Sequence, residues 1–253
     1  MTLKHVFHST AGILTGRWRP LAVKPDEVPV LKTGLNQLDR AMGIGGLPQG
    51  HITELIGADT GGVFSLAAKI AARLQRKQLP VTILDLVGHL ELAHAARCGL
   101  AAPELFSYLP KTAFELISLA EKAARQPGLI LLNFGFVPDS LGSGSASSLA
   151  ILLHRLHLLA TTSASAFLCL THPEEGDPFI HTNYPPGFPL PEIAAVRLWV
   201  QDEGWLRKGA QISGYRGNIT VIKNSLGVSG QGANVRIPFI DPEIVRLSDE
   251  LGF

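Results

Sequence analysis

The chain has 253 residues, of which 46% are hydrophobic and 17% are charged, a composition typical of a globular protein rather than a disordered one. This length suits one sizeable α/β domain and leaves too little chain for two full domains. The formal net charge of +1 excludes the strong overall basicity that many nucleic-acid-binding proteins show. We therefore expect one main folded unit whose function depends on local sites.

Neither a secreted protein nor a membrane protein is indicated by the sequence. Cys98 and Cys169 both lie in apolar stretches, which disfavours a disulfide framework and fits a reducing cytoplasm. The first twelve residues lack the apolar core of a signal peptide. The longest apolar run, Leu149–Ala160, is interrupted by two histidines and an arginine, so no segment is expected to span a bilayer. We predict a cytoplasmic protein without membrane contact.

Regular apolar periodicity begins at Ile52, after a first thirty residues that we interpret as an N-terminal arm or docking segment. Five short apolar runs predict buried strands: Ile52–Ile56, Val81–Leu86, Phe106–Leu109, Leu129–Asn133 and Ala166–Leu170. Four segments between them are predicted as helices: Ser65–Arg76, His89–Cys98, a capped stretch from Thr112 to about Arg125, and Leu149–Thr161. This alternation predicts a parallel, doubly wound sheet, because parallel strands need crossover helices.

The pattern changes after the fifth strand, where Thr171–Pro191 forms a long loop with six prolines. Three further strands are predicted: Ala194–Val200, Ile219–Lys223 and Asn234–Phe239. Turns expected at Gly204 and Gly227–Gly232 make these strands an antiparallel extension of the sheet. We expect three parts in all: an N-terminal arm (1–30), an α/β core (31–240) and an acidic C-terminal tail (241–253).

A glycine-rich turn follows the first regular strand. Residues 33–62 read TGLNQLDRAMGIGGLPQGHITELIGADTGG, and Gly57–Phe64 has the glycine spacing of a G-x-x-x-x-G-K-[ST] phosphate loop. The order of TG, LD, GGLP, strand and loop resembles the opening of the RecA recombinase core. Ala195–Leu198 and Val221–Asn224 resemble later strands of that family. Across residues 30–240 the resemblance implies a RecA-like P-loop NTPase core, with a mostly parallel central sheet, flanking helices and an antiparallel extension.

The loop has the glycines of the family's phosphate loop but lacks the two side chains that bind phosphate and metal in the family. Gly57, Gly61 and Gly62 are present, although a strand-to-helix turn alone also favours glycine. Val63 stands where the family has its phosphate-binding lysine, and Phe64 stands where it has the metal-binding hydroxyl. Asp59 adds a negative charge beside the expected phosphates.

Three further positions implied by the resemblance are also changed. Asn133 takes the place of the metal-supporting aspartate, Val87 that of the catalytic carboxylate, and His172 that of the γ-phosphate-sensing glutamine. We interpret the chain as a pseudo-ATPase without a nucleotide cofactor, and weak anion binding by the loop amides remains an alternative. No metal site is expected, because His94 and Cys98, one helical turn apart, lack further ligands.

Basic residues are concentrated late in the chain, where residues 197–236 carry six Lys or Arg against two Asp or Glu. We predict candidate DNA contacts in this segment, with an ordinary solvated hairpin as the alternative. The residues concerned are Arg207, Lys208, Tyr215, Arg216 and Lys223. The long loop, in the place of the family's second DNA-binding loop, contains no Lys or Arg, and a proline-stiffened surface or subunit-contact loop is the alternative. The aromatic residues that it offers for stacking on bases are Phe179, His181, Tyr184 and Phe188.

The resemblance implies a role in DNA repair or recombination, including the SOS response. The chain looks like catalytically degenerate RecA relatives, such as the ImuA-type proteins that accompany translesion polymerases, and like recombinase paralogues. We predict an accessory protein that docks on a RecA-like recombinase or a repair polymerase, with weak single-stranded DNA binding and self-association as further expectations. Two alternatives are an atypical ATPase that uses Ser65, Lys69 and Glu91 in displaced roles, and a scaffold outside DNA metabolism.

Overall fold

The computed structural model describes residues 28–58, 61–88, 91–101, 105–135, 146–172, 184 and 188–240. The predicted acidic tail and nearly all of the predicted N-terminal arm lie outside these residues. The strands are β1 (Val30–Leu31), β2 (Leu47–Pro48), β3 (Ile52–Ile56), β4 (Val81–Asp85), β5 (Leu105–Tyr108), β6 (Leu129–Gly135), β7 (Ala166–Thr171), β8 (Val196–Lys208), β9 (Gln211–Asn224) and β10 (Gly232–Pro238). The helices are α1 (Asn36–Ala41), α2 (Val63–Gln75), α3 (Leu92–Arg97), α4 (Ala113–Ala123), α5 (Ala146–Thr161) and α6 (Leu190–Ile193).

One eight-stranded sheet organises the fold, in the order β10-β9-β8-β3-β7-β6-β4-β5. From β8 to β5 all neighbouring strands pair in parallel, whereas β8–β9 and β9–β10 are antiparallel. This confirms the predicted parallel core with an antiparallel extension. A separate two-stranded sheet of β1 and β2 was not predicted, because two-residue strands carry no periodic signal.

Helices cover both faces of the parallel strands. The first core packs α1, α2 and part of α3 against one face, with Leu66 and Ile70 of α2 fully buried beside Leu131 and Leu168. The second core packs α4, α5 and α6 against the other face. β3 and β6 are buried along their whole lengths, as expected of strands covered on both sides. Burying each Leu or Ile side chain contributes about 1.5–3 kcal/mol.

Two local predictions had different outcomes. The predicted helix cap at Thr112 is confirmed, since its hydroxyl accepts a hydrogen bond from the Glu115 amide at 3.1 Å. The predicted turn at Gly204 is wrong. Gly204 lies inside β8 at a register shift, where its amide donates to the Asp202 carboxylate, and the chain reverses at residues 209–210 instead. A glycine in a strand marks a bulge here rather than a turn.

The parallel strands β3, β4, β6 and β7 all end at one edge of the sheet. Gly57, Asp85, Asn133 and Thr171 lie at or next to those ends. The candidate functional residues implied by the phosphate loop therefore converge at this edge, as is usual for open α/β sheets. Within the described ranges, none of the helices combines the length and apolar character needed to cross a membrane.

Candidate functional site

The segment from β3 to α2 has the strand–turn–helix arrangement that a phosphate loop requires. The Gly57 amide donates to the Thr171 carbonyl at 3.3 Å, and the Gly61 amide donates to the Ala58 carbonyl at 2.7 Å. Gly62 is the N-cap of α2 with φ of 79°, a left-handed conformation that favours glycine. Asp59, the loop residue with the negative charge, lies outside the described residues.

Internal packing alone requires glycine at both ends of this turn. A Cβ at Gly57 would lie 2.6 Å from Val63 Cγ2 and 2.7 Å from the Val200 carbonyl oxygen. A Cβ at Gly62 would overlap the ring of Tyr215. The glycine spacing of the loop is therefore explained by contacts within the chain, without reference to a phosphate.

Val63 and Phe64, the two residues that follow Gly62, have apolar side chains and pack in an apolar environment. Val63 is fully buried in the first core. Phe64 is half-buried against the same core, with its ring centroid 6.1 Å from that of His94. At these two positions the loop thus carries neither a cation for phosphate nor a hydroxyl for a metal ion.

Tyr215 of β9 packs directly on the loop. Its side chain is 2% exposed, its hydroxyl donates to the Gly61 carbonyl at 2.5 Å, and Trp205 meets its ring edge-on at 6.5 Å. Burial raises the pKa of Tyr215, and the carboxylates of Asp202 and Glu203 raise it further. The prediction of Tyr215 as a DNA contact is therefore wrong, because its ring is enclosed by the hairpin and the loop.

Asn133 and Val87 occupy the neighbouring strand ends. The Asn133 amide nitrogen donates to Asp85 Oδ1 at 2.9 Å, and the Val87 backbone amide donates to the same oxygen at 3.3 Å. Asn133 and Asp85 are 7% and 3% exposed. The Val87 side chain packs against Gly135, where a Cβ would lie 2.8 Å from Val87 Cγ2. The structure thus brings Asn133 and Val87 to the predicted edge of the sheet, where both donate to the carboxylate of Asp85.

His172 joins the ends of β3 and β7. Its Nδ1 donates to the Gly57 carbonyl at 2.9 Å, and the residue is 7% exposed. His172 therefore lies beside the loop, as the resemblance implies, and its ring nitrogen stabilises the loop's first residue.

A buried charged network next to this edge escaped the sequence analysis. Glu54 of β3 accepts from Arg197 Nε at 2.6 Å, from the Tyr184 hydroxyl at 2.7 Å and from the Thr171 hydroxyl at 2.9 Å. The Glu54 and Arg197 side chains are 0% and 4% exposed. Burial opposes the charge on Arg197, but Glu54 more than offsets this, so the pKa of Arg197 is raised. The only signal of this network in the sequence was Glu54 itself, a single charged residue within the apolar strand β3.

Tyr184 and Phe188 are also internal. They are 7% and 5% exposed and stack on each other with ring centroids 5.4 Å apart. Burial and the neighbouring Glu54 raise the pKa of Tyr184. Neither ring is available to stack on a nucleic-acid base, which corrects the sequence-based interpretation of these two residues.

The predicted basic residues fall into separate groups. Arg207 and Lys208 are exposed beside the β8–β9 turn. Arg216 is exposed opposite Arg236 in the β9–β10 register, and in the described part of the chain neither has an acidic partner. Lys223 is set apart by its contacts: its ammonium donates to the carbonyls of Pro191 and Glu192, at 2.9 and 2.7 Å, and burial lowers its pKa.

A polar contact links α2 to α3. Ser65 Oγ lies 2.7 Å from His94 Nε2, which lies 3.7 Å from Cys98 Sγ. Burial lowers the pKa of His94 and raises that of Cys98 to about 11. Lys69 Nζ donates to the Pro238 carbonyl at 3.1 Å. Over the described ranges, no three His, Cys, Asp or Glu side chains form a group that could hold a metal ion.

Fold and loop together define a RecA-like α/β core. Residues 20–133 match the RecA N-terminal domain family. The chain is 28% identical over 236 residues to "Protein RecA" of Thermus thermophilus, covering 85% of this chain and 69% of that protein. It is 26% identical to "Protein RecA" of Aquifex pyrophilus (84% and 66% covered) and 25% identical to that of Syntrophus aciditrophicus (79% and 63%). The chain is thus similar to RecA proteins along most of its length.

Proposed function

We propose that this protein is a non-catalytic, RecA-like accessory protein of DNA repair or recombination, which docks on a partner protein without using ATP. The observation that carries the proposal is Val63, which is fully buried in the apolar core at the position where the family has its phosphate-binding lysine. The relation to DNA repair and recombination rests on the similarity of the chain to the RecA N-terminal domain family and to RecA proteins.

The chemistry of ATP supports this proposal. A nucleotide triphosphate needs cations and a metal ion to neutralise its phosphates, and removing one such stabilising group typically lowers the rate by about 10²–10³-fold. Val63 and Phe64 supply neither charge nor metal ligand, and Asn133 supplies an amide where a carboxylate is expected. The Asn133 amide moreover donates a hydrogen bond to Asp85. The absence of the lysine, the hydroxyl and the carboxylate weakens both the binding of ATP and its hydrolysis.

The proposed partner is a RecA-like recombinase or a repair polymerase, with self-association as a second mode of assembly. Similarity to "Protein RecA" along 85% of this chain supports a shared subunit surface. The two free cysteines, Cys98 and Cys169, fit the cytoplasm in which such partners act, including during the SOS response.

The proposed DNA contact is weak and uses the exposed arginines and lysines of the antiparallel strands. Arg207 and Lys208 form one group at the hairpin turn, and Arg216 with Arg236 forms a second group on β9 and β10. Two like charges in opposed cross-strand positions repel each other, and an anion between them relieves that repulsion.

A salt titration of single-stranded DNA binding tests the DNA contact. We expect weak binding whose dependence on salt falls by about one counterion for each arginine removed in Arg216→Ala/Arg236→Ala. Lys77→Ala, which removes an exposed lysine at the end of α2, is the matched control and should leave binding unchanged. Equal salt dependence in all three proteins would assign DNA binding to another surface.

A phosphate-release assay with Mg-ATP tests the non-catalytic proposal against the atypical ATPase. Ser65 is hydrogen-bonded to His94, Lys69 donates to the Pro238 carbonyl, and Glu91 is exposed at the start of α3. We expect only background release, with and without DNA. Release that is abolished by Ser65→Ala or Glu91→Ala would establish the alternative enzyme.

A further inference from the structure

The contact between Tyr215 and the phosphate loop is the basis of a further inference. Tyr215 belongs to β9, and its hydroxyl donates to the carbonyl of Gly61 in the loop. The same hydroxyl lies 3.4 Å from the Gln201 carbonyl of β8. One side chain therefore connects the loop with both strands of the hairpin.

The ring of Tyr215 covers the start of α2. Gly62, the N-cap of α2, approaches the ring so closely that a Cβ there would overlap it. The N-terminus of a thirteen-residue helix such as α2 normally attracts anions, because its amides and its dipole favour negative charge. In this protein an aromatic ring packs against that end of the helix.

Negative charge lies close to the same hydroxyl. Asp202 and Glu203 are exposed on β8 at the register shift that follows Asp202, and after burial their carboxylates are the further causes of the raised pKa of Tyr215. Asp202 directly follows Gln201, whose carbonyl lies 3.4 Å from the Tyr215 hydroxyl, so its negative charge disfavours a phosphate group beside the ring. The ring and the carboxylates thus disfavour an anion for independent reasons, one steric and one electrostatic.

We propose that Tyr215 is an internal plug of the phosphate loop, which closes the loop against phosphate ligands and fixes it to the β8–β9 hairpin. This inference rests on the proposed nucleotide-independent function and adds the residue that maintains it. The retained Gly62 then serves the plug, since it leaves space for the ring, while the backbone carbonyl of Gly61 accepts the hydrogen bond from the hydroxyl.

Binding of magnesium pyrophosphate, measured by isothermal titration calorimetry, tests the plug. We expect no detectable binding to the wild type, and millimolar binding to Tyr215→Ala that tightens at least threefold in Tyr215→Ala/Asp202→Asn/Glu203→Gln. Trp205→Ala is the matched control, because it removes an aromatic ring that packs edge-on against Tyr215 and leaves the Tyr215 hydroxyl free to donate to Gly61, and it should behave as wild type. A folded Tyr215→Ala protein that binds no pyrophosphate would overturn the plug.

Hydrogen exchange in Tyr215→Phe covers the case in which Tyr215→Ala does not fold. This variant keeps the ring and loses the hydroxyl that contacts the Gly61 and Gln201 carbonyls, so we expect faster exchange in residues 57–66 than in the wild type. Unchanged exchange would also overturn the plug. Binding of Mg-ATP by the wild type itself would instead contradict the proposed function, so the two failures are distinguishable.

Discussion

Strand β3 carries a buried charged residue in its middle, whereas the loop that follows its end carries no positively charged residue. In the middle, Glu54 is completely buried and satisfied by Arg197, Tyr184 and Thr171. Beyond the end, Val63 and Phe64 occupy the positions that we propose correspond to the phosphate-binding positions of a RecA-like protein. The strand therefore retains the carboxylate of Glu54, which Arg197 neutralises within the protein. The loop a few residues later has no Lys or Arg that could neutralise the phosphates of a nucleotide.

This contrast separates what the fold needs from what a nucleotide needs. A buried carboxylate must be paired, because an isolated ionised group in an apolar interior is very unfavourable. A phosphate-binding lysine stabilises a ligand rather than the fold, so the core can accept valine at that position. The loop backbone persists through contacts of its own, with Tyr215, Val63 and His172.

The largest predicted effect comes from breaking the pair in the middle of β3. Arg197→Met leaves Glu54 buried without its cation, and we expect the free energy of unfolding to fall by about 3–5 kcal/mol in chemical denaturation. The double variant Glu54→Gln/Arg197→Met removes both charges and should recover more than half of that loss. A loss below about 1 kcal/mol in Arg197→Met would show that the network does not stabilise this strand.

Gly62→Ala tests the contact at the end of the strand. We expect a loss of about 1–3 kcal/mol, from the positive φ and from overlap with Tyr215. Gly230→Ala is the control for backbone strain alone, because Gly230 has φ of 84° and a Cβ at this residue would have no atom within 4 Å. In a Tyr215→Ala background the cost of Gly62→Ala should fall to that of Gly230→Ala. An undiminished cost would show that Tyr215 does not require this glycine.

Acid should weaken the contact between α2 and α3. Burial, assisted by Arg97, lowers the pKa of His94 below its ordinary value of 6.5. The unfolded chain therefore takes up a proton before the folded protein does, and the His94 contribution to stability is lost as pH falls from about 6.5 towards the lower folded pKa. Melting temperatures at pH 7.5 and 5.5 should differ less in His94→Gln than in the wild type. An equal difference would exclude His94 as the responsible group.

The smallest effect concerns the paired arginines of β9 and β10. Arg236→Glu replaces a cross-strand repulsion with an attraction to Arg216, and we expect the free energy of unfolding to rise by about 0.2–1 kcal/mol. Arg207→Glu, at the exposed hairpin end, is the control and should have no comparable effect. The gain should shrink in 1 M salt, where the Debye length is about 3 Å. A gain that is independent of salt would mean that charge is not its cause.

The sequence predicted the architecture well, because the parallel strands are short apolar runs separated by helices with clear periodicity. It also located Val63, Asn133 and His172 at one edge of the sheet, since strand ends meet there. It missed contacts between residues far apart in the chain, such as Glu54 with Arg197. It also assigned Tyr215 to the surface. The sequence pattern of an aromatic residue between basic residues is the same whether that face of the strand is buried or exposed to solvent.

Equilibrium unfolding of the wild type with and without Mg-ATP tests the central claim most directly. A protein that does not use nucleotide should have the same free energy of unfolding at every Mg-ATP concentration up to several millimolar. A ligand present at 100 times its dissociation constant would raise that free energy by about 2.7 kcal/mol. An increase that grows with Mg-ATP concentration, and that is absent with magnesium chloride alone, would contradict the account.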